Sequence, residues 1–369
     1  MLTQKFKSMC FICMFTLFST HLAFCVEIQN RREYISLDEL SQSNAKILEV
    51  FVENNSSQNV LELKDGVVLN EGIILTSDGK TLKDVQTSLR PQSAVFKDNF
   101  DINNEELIVH FKGRLVSISS PGSENWYHWL LQILSRLYIV QESKISFDKI
   151  YINNCQAPWQ ISSLNIVLEK LGIPKNKILT INNDTTVVKA DTLIIPSIPF
   201  IPCKGPKVRL PEWLKKKLNE TFLDSSKATI APFERIYISR SKAKSRKITN
   251  ESNLIDQLEQ HNFKVIFLED LSPFDQAHIF NNAKIIVGPH GSGFTNLIFS
   301  KQKTKIIEID HGSINEDEQR SFFKRLSTLM GCDYHPFYVD KTSEDHFEDD
   351  MIVNIPQFIE YINQVISNS

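Results

Sequence analysis

Ile285-Ile286-Val287-Gly288-Pro289-His290-Gly291-Ser292-Gly293-Phe294-Thr295-Asn296-Leu297-Ile298-Phe299 decides how this chain is read. An apolar strand-like run meets a glycine-rich bend, and a second apolar run follows at once. The spacing predicts a strand over Lys284–Val287 and a helix over Gly291–Ser300. Working outward, the same alternation repeats on both sides. Strand Arg235–Ser239, helix Asn250–Gln260, strand Phe263–Leu268 and helix Pro273–Ala283 precede it, and strand Lys305–Ile309 follows. Strict β-α alternation with apolar strands predicts a parallel sheet covered on both faces. Ligands of such sheets bind in the loops at the strands' carboxyl ends.

That rule singles out the His290–Asn296 loop. Gly291 and Gly293 are expected to take positive φ and to let a ligand approach the backbone. The helix start offers unspent N–H groups and a positive dipole end, which suit an anion. Ser292, Thr295 and Asn296 add side-chain donors, and His290 can donate to a phosphate or a leaving oxygen. The alternative is a tight turn whose glycines are only steric. The loop is neither G-x-G-x-x-G nor a Walker loop, and it lacks the G-x-S-x-G spacing of a nucleophile elbow.

Five cations fall between Arg240 and Lys247, just after strand Arg235–Ser239. Arginine grips phosphate bidentately, so Arg240 and Arg246 are the stronger anion ligands. A solvated basic loop is the alternative. Further upstream, Ser123–Arg136 reads as a buried helix, within a predicted helix over 124–142. It is interrupted by one polar stripe: Glu124, His128, Gln132 and Ser135/Arg136. Such a stripe must find partners or face a cleft. His128 reads either as a general base or as a hydrogen-bonded core histidine.

The remainder of the chain sets limits. Its 369 residues suit two domains, and 41% hydrophobic with 23% charged residues is an ordinary globular composition. A net charge of −3 supplies no general attraction to nucleic acid. Lys5 and Lys7 precede an apolar run from Met9 to Val26, so residues 1–26 read as a signal peptide or a signal-anchor, and a secretory or membrane-associated location is expected. Short strands over 60–76, strands over 107–111 and 114–119, and α/β alternation to about Pro196 define a first domain, 27–200. Prolines 196, 199, 202, 206 and 211 mark a linker. The second domain takes 207–345, and a helix closes the chain over 351–369. Cys155, Cys203 and Cys332 form no zinc pattern, and a Cys155–Cys203 disulfide and isolated buried thiols both remain open. No Asp-x-Asp stands at a strand end, and no metal or other cofactor is expected.

Asn125-x-x-His128-Trp129-Leu130 with Arg136, Ile238-Ser239-Arg240 through Arg246 to Asn250-Glu251, the Gly288–Asn296 block and Ile307-Glu308-Ile309 together resemble glycosyltransferase family 61. The resemblance implies an α/β fold of the GT-B type, two Rossmann-like domains facing a cleft. It also implies an inverting glycosyltransferase moving a sugar from a UDP-sugar to a glycan or glycoprotein. Carried over, Arg240, Arg246, His290, Gly291, Ser292, Gly293, Thr295 and Asn296 would hold the diphosphate, and Glu269 would face the base or ribose. Asn125, His128, Gln132 and Arg136 would lie on the acceptor side. Family members often carry an acidic residue where this chain has Gln132, which leaves His128 without a carboxylate partner. A non-catalytic glycan- or nucleotide-binding protein of the same fold is the alternative.

Overall fold

The computed structural model describes residues 34–36, 40, 45–52, 56–69, 72–82, 108–120, 122–153, 155–180, 187–199, 210–311, 322–339 and 349–367. The expected N-terminal signal, most of the proline-rich linker and Cys203 lie outside them. Among the described residues no helix is long and apolar enough to cross a membrane. Cys155 and Cys332 are buried thiols.

The chain forms a mixed α/β structure with two sheets. The first contains β1 (Tyr34–Ile35), β2 (Ala45–Val52), β3 (Ser56–Lys64), β4 (Val67–Leu69), β5 (Ile74–Leu75), β6 (Thr81–Leu82), β7 (Ile108–Ser117), β8 (Lys149–Ile152), β9 (Ile178–Thr180) and β10 (Val187–Pro196). Its path runs β1-β6-β5-β4-β10-β7-β8-β9, with β3 also on β10 and β2 on β3. The stretch β10-β7-β8-β9 is parallel, whereas β2, β3, β4 and β5 pair antiparallel. The two strands expected at 107–111 and 114–119 are one continuous strand. Gly113 does not end it: its amide donates to Asp191 (2.8 Å), and its φ of +118° sits opposite a register shift between Ala190 and Thr192. The glycine absorbs a bulge that breaks the hydrophobic period without breaking the strand.

The second sheet contains β11 (Arg235–Ile238), β12 (Lys264–Ile266), β13 (Ile285–Pro289), β14 (Lys305–His311) and β15 (Asp333–Val339). The order is β12-β11-β13-β14-β15, and every pairing is parallel. Period-two alternation sends β11 side chains to two separate cores. Ile236 and Ile238 join one, while Tyr237 joins the other with Leu254, Phe358 and Ile362. Helices Glu251–Gln260 and Ile355–Ser367 cover that second face. Helix Pro273–Asn282 and the turns around Ser292–Phe299 cover the first. Helix Pro273–Asn282 starts where sequence says it should: Ser272 caps it by accepting from the Asp275 amide, and Pro273 occupies the first turn. Such a cap contributes about 1 kcal/mol.

One apolar cluster is common to both halves. Trp129, Leu134 and Leu137 belong to it together with Leu214, Leu218, Ile286 and Leu297, all buried. Helix Glu212–Phe222 lies between, and its Thr221 hydroxyl meets that of Tyr138 at 2.7 Å.

Two expected helices differ in kind. The segment expected as a helix over 124–142 is α-helical at Trp126–His128, π-helical at Trp129–Leu134 and α-helical again at Ser135–Ser143. All six residues of the π segment are buried, and the wider turn shifts the faces of the residues that follow it. The helix expected at Gly291–Ser300 is a 3-10 helix, Ser292–Phe299. Phe294 to Phe299 are all buried, so packing on both the β13 side and the core side sets its tighter wind.

Candidate active site

The chain crosses over once within the second sheet. It leaves β11 for β12 on one side and returns to β13 on the other. The connections that leave the carboxyl ends of β11 and β13 therefore run to opposite sides, which opens the crevice where such sheets bind ligands. A cavity of about 190 Å³ lies there. Ile238, Ser239 and Arg240 enter it from β11, Leu268 and Glu269 from the turn after β12, and Pro289, Gly291, Ser292 and Gly293 from the turn after β13.

The glycines work differently from expectation. Gly291 has φ 170°, extended backbone that any residue adopts, and Gly293 is not among the residues of positive φ. What they supply is room. A Cβ on Gly291 would stand 2.9 Å from Arg240 Cζ, and one on Gly293 would stand 2.6 Å from Leu268 Cδ1. Gly288 has a little more room, 3.0 Å from Ile238 Cβ. The Arg240 guanidinium thus lies directly on the Gly291 backbone, and its Nη2 donates to the Ser245 carbonyl at 3.0 Å. The first helical bond after the bend is Phe294 N–H to Gly291 C=O, so the Ser292 and Gly293 amides precede that ladder.

Other expected ligands sit apart from the cavity. Thr295 and Asn296 are fully buried. The Asn296 amide donates to Gln276 Oε1 (2.9 Å), and its carbonyl accepts from Trp126 Nε1 (3.0 Å). Gln276 in turn donates to the Leu268 carbonyl, so this relay shapes the turn that carries Glu269. Arg246 is half-buried with φ +58° and does not line the cavity. Lys242 is drawn away to Asp270, over the Phe267 ring.

His290 is buried behind the loop. Its Nδ1 meets Glu308 Oε1 at 2.7 Å, its backbone N–H donates to Ile309, and its ring lies against Phe323. Glu308 is fully buried in the middle of β14, where its other oxygen accepts from the Tyr334 hydroxyl at 2.5 Å. Burial and the Glu308 charge push the Tyr334 hydroxyl far up, so it stays a donor. The sequence carried a signal for this arrangement: one acid inside Ile306-Ile307-Glu308-Ile309 has to be paired.

On the first half, the polar stripe finds partners. Asn125 caps the helix through the Tyr127 amide (2.9 Å). His128 Nδ1 meets Gln132 Oε1 at 2.5 Å, and Gln132 donates to the Tyr127 hydroxyl at 3.3 Å. A carbonyl acceptor at Nδ1 makes that nitrogen the N–H and leaves Nε2 as the basic nitrogen. Gly122 (φ +79°) passes so near that a Cβ would stand 2.7 Å from the His128 ring. Arg136 is buried, donates to the Ser119 carbonyl at 2.9 Å, and is pushed down by burial to about 9, which leaves it charged at neutral pH. His128, Gln132 and Arg136 do not line the cavity; Glu124, Trp126 and Trp159 do. Both tryptophans were missed as site residues, because an aromatic on a buried helix reads as core.

This cavity, walled by Trp126 and Trp159 on one side and by the Arg240–Gly291 contact on the other, coincides with a known family. Residues 126–307 match the family model described as Glycosyltransferase 61. The family 61 stretch begins at Trp126 and ends one residue before Glu308, so it holds nearly every residue that lines the cavity. A β-1,2-xylosyltransferase of Arabidopsis thaliana is 31% identical over 72 residues, which cover 20% of this chain and 13% of that protein.

Proposed function

We propose that the chain is an inverting glycosyltransferase of GT-B arrangement that takes a UDP-sugar donor in the crevice between β11 and β13. The observation that carries this reading is Arg240 lying on Gly291 beside the loop's first amides, at the switch point of a parallel sheet. A guanidinium and backbone N–H groups together offset the charge of a leaving diphosphate without a metal. Glu269, exposed on the turn after β12, is placed to accept from ribose hydroxyls. Ser292 completes the polar edge of the donor site.

Two histidines take different parts. Glu308 holds the His290 ring through Nδ1, and His290 is the donor toward the leaving diphosphate. Gln132 sets the His128 tautomer without adding charge, which suits a base that accepts the proton of an acceptor hydroxyl at Nε2. The acceptor is a glycan or glycoprotein, and the N-terminal segment directs the protein to the secretory route or holds it at a membrane. The family relationship and the β-1,2-xylosyltransferase relative support transfer of a sugar. One feature favours a second reading, a protein that binds nucleotide-sugar without turning it over: Gln132 gives His128 no carboxylate. The test is UDP release from a panel of UDP-sugars with mixed glycan acceptors. Release above the hydrolysis blank supports the enzyme, and tight UDP binding with no release supports the binding protein.

A further inference from the structure

The cavity's two walls differ in chemistry. The wall from the second half is backbone, Arg240 and Glu269; the wall from the first half is Trp126, Trp159 and Glu124. The tryptophans meet edge to face, centroids 5.7 Å apart, and Trp129 backs Trp159 at 5.8 Å in the same geometry. Trp126 is further held by its hydrogen bond to Asn296. Both pocket tryptophans are only half-buried. A rigid, partly open aromatic corner facing a polar wall is a poor core and a good platform for a ring with one apolar face.

Size narrows the ligand. A volume of about 190 Å³ lies below the ~300–1,000 Å³ usual for whole drug-sized ligands. The cavity therefore suits one sugar ring better than a complete nucleotide-sugar. Charge narrows it again. With Arg240 engaged by a diphosphate, the remaining charged groups of the lining are the carboxylates of Glu124 and Glu269. Carboxylates accept from sugar hydroxyls and repel a second carboxylate.

The geometry points to Trp126 and Trp159 as the platform for the transferred sugar of the donor, a neutral pyranose, with Glu124 accepting its hydroxyls. This rests on the proposal that the diphosphate lies at Arg240 and Gly291. The C–H face of the ring stacks on the indoles, and its hydroxyl rim turns toward Glu124. Sugars that carry their own carboxylate are excluded.

Calorimetry on the purified full chain tests this with UDP, UDP-xylose, UDP-N-acetylglucosamine and UDP-glucuronic acid. At least one neutral UDP-sugar should bind about tenfold or more tighter than UDP, and UDP-glucuronic acid no tighter than UDP. Trp159→Ala should erase the neutral sugar's advantage while leaving UDP affinity within about twofold. Trp159→Phe, which keeps a ring, should retain most of the advantage, and an unchanged melting temperature shows that the variant is folded. Glu124→Gln should improve UDP-glucuronic acid relative to UDP. The inference is overturned if UDP itself binds as well as every neutral sugar nucleotide. It is equally overturned if a folded Trp159→Phe loses UDP and UDP-sugars by the same factor, or if Trp159→Ala weakens only a methyl glycoside acceptor. Failure of the wild-type chain to bind any of the four overturns the donor-site proposal itself, which keeps the two failures distinct.

Discussion

Trp126 Nε1 donates to Asn296 Oδ1 at 3.0 Å, across 170 positions of sequence, and so joins the two halves at the cavity. Asn296 is fully buried, and its amide is committed to Gln276. The bond fixes one cavity wall to the loop of the other.

Asn296→Ala leaves the Trp126 N–H and Gln276 Oε1 short of their partner in a buried place, and should cost about 1–3 kcal/mol of stability. Trp126→Phe removes the donor alone and should cost less. Urea unfolding of both variants measures the difference, and equal wild-type midpoints would show the bond to be energetically idle.

Arg240→Ala should weaken UDP binding by about 1.5–3 kcal/mol, the size of a charge-assisted contact. Isothermal calorimetry reads it directly. An unchanged affinity would move the diphosphate elsewhere.

Gly291→Val places side-chain atoms where the Arg240 guanidinium now lies. It should therefore abolish most of the UDP binding that Arg240 provides, and the two changes should not add. In a double-mutant cycle, the pair should bind UDP about as poorly as Arg240→Ala alone. Full additivity would mean that the contact between them carries nothing.

His128→Ala should lower turnover by about two orders of magnitude or more with UDP affinity intact, as loss of a general base does. Glu308→Gln should also slow turnover, because it changes the partner that holds the His290 ring. Wild-type turnover in a folded Glu308→Gln would leave Glu308 a purely structural acid.

Turnover should survive EDTA, since the charge of the leaving group is assigned to Arg240 and backbone amides. Loss of activity that manganese restores would require a metal in the mechanism.

The second sheet was legible because its information is local: Ile236 and Ile238 alternate with Tyr237, and each apolar strand is followed by a helix signal such as Ser272-Pro273. The loop residues Arg240, Glu269, Gly291, Ser292 and Gly293 could be placed at one edge for the same reason. Three things were hidden. The wind of Ser292–Phe299 depends on packing from outside the segment, which a short apolar run does not reveal. The depth of Thr295 and Asn296 followed from that wind, so two expected donors turned inward. Trp126 and Trp159 reach the cavity only because helix Pro158–Leu171 lies beside the helix that starts at Trp126, a contact set by tertiary structure.

The apolar cluster that includes both Trp129 and Ile286 has a consequence for how the molecule comes apart. Cutting the chain between the sheets would bare Leu134 and Leu137 on one fragment and Leu214 and Leu218 on the other, all of them now dry. Each fragment should therefore fold less readily alone, and denaturation should pass through a single cooperative transition rather than two. Any opening that releases product must then be a small tilt around helix Glu212–Phe222, not a wide swing of separate bodies.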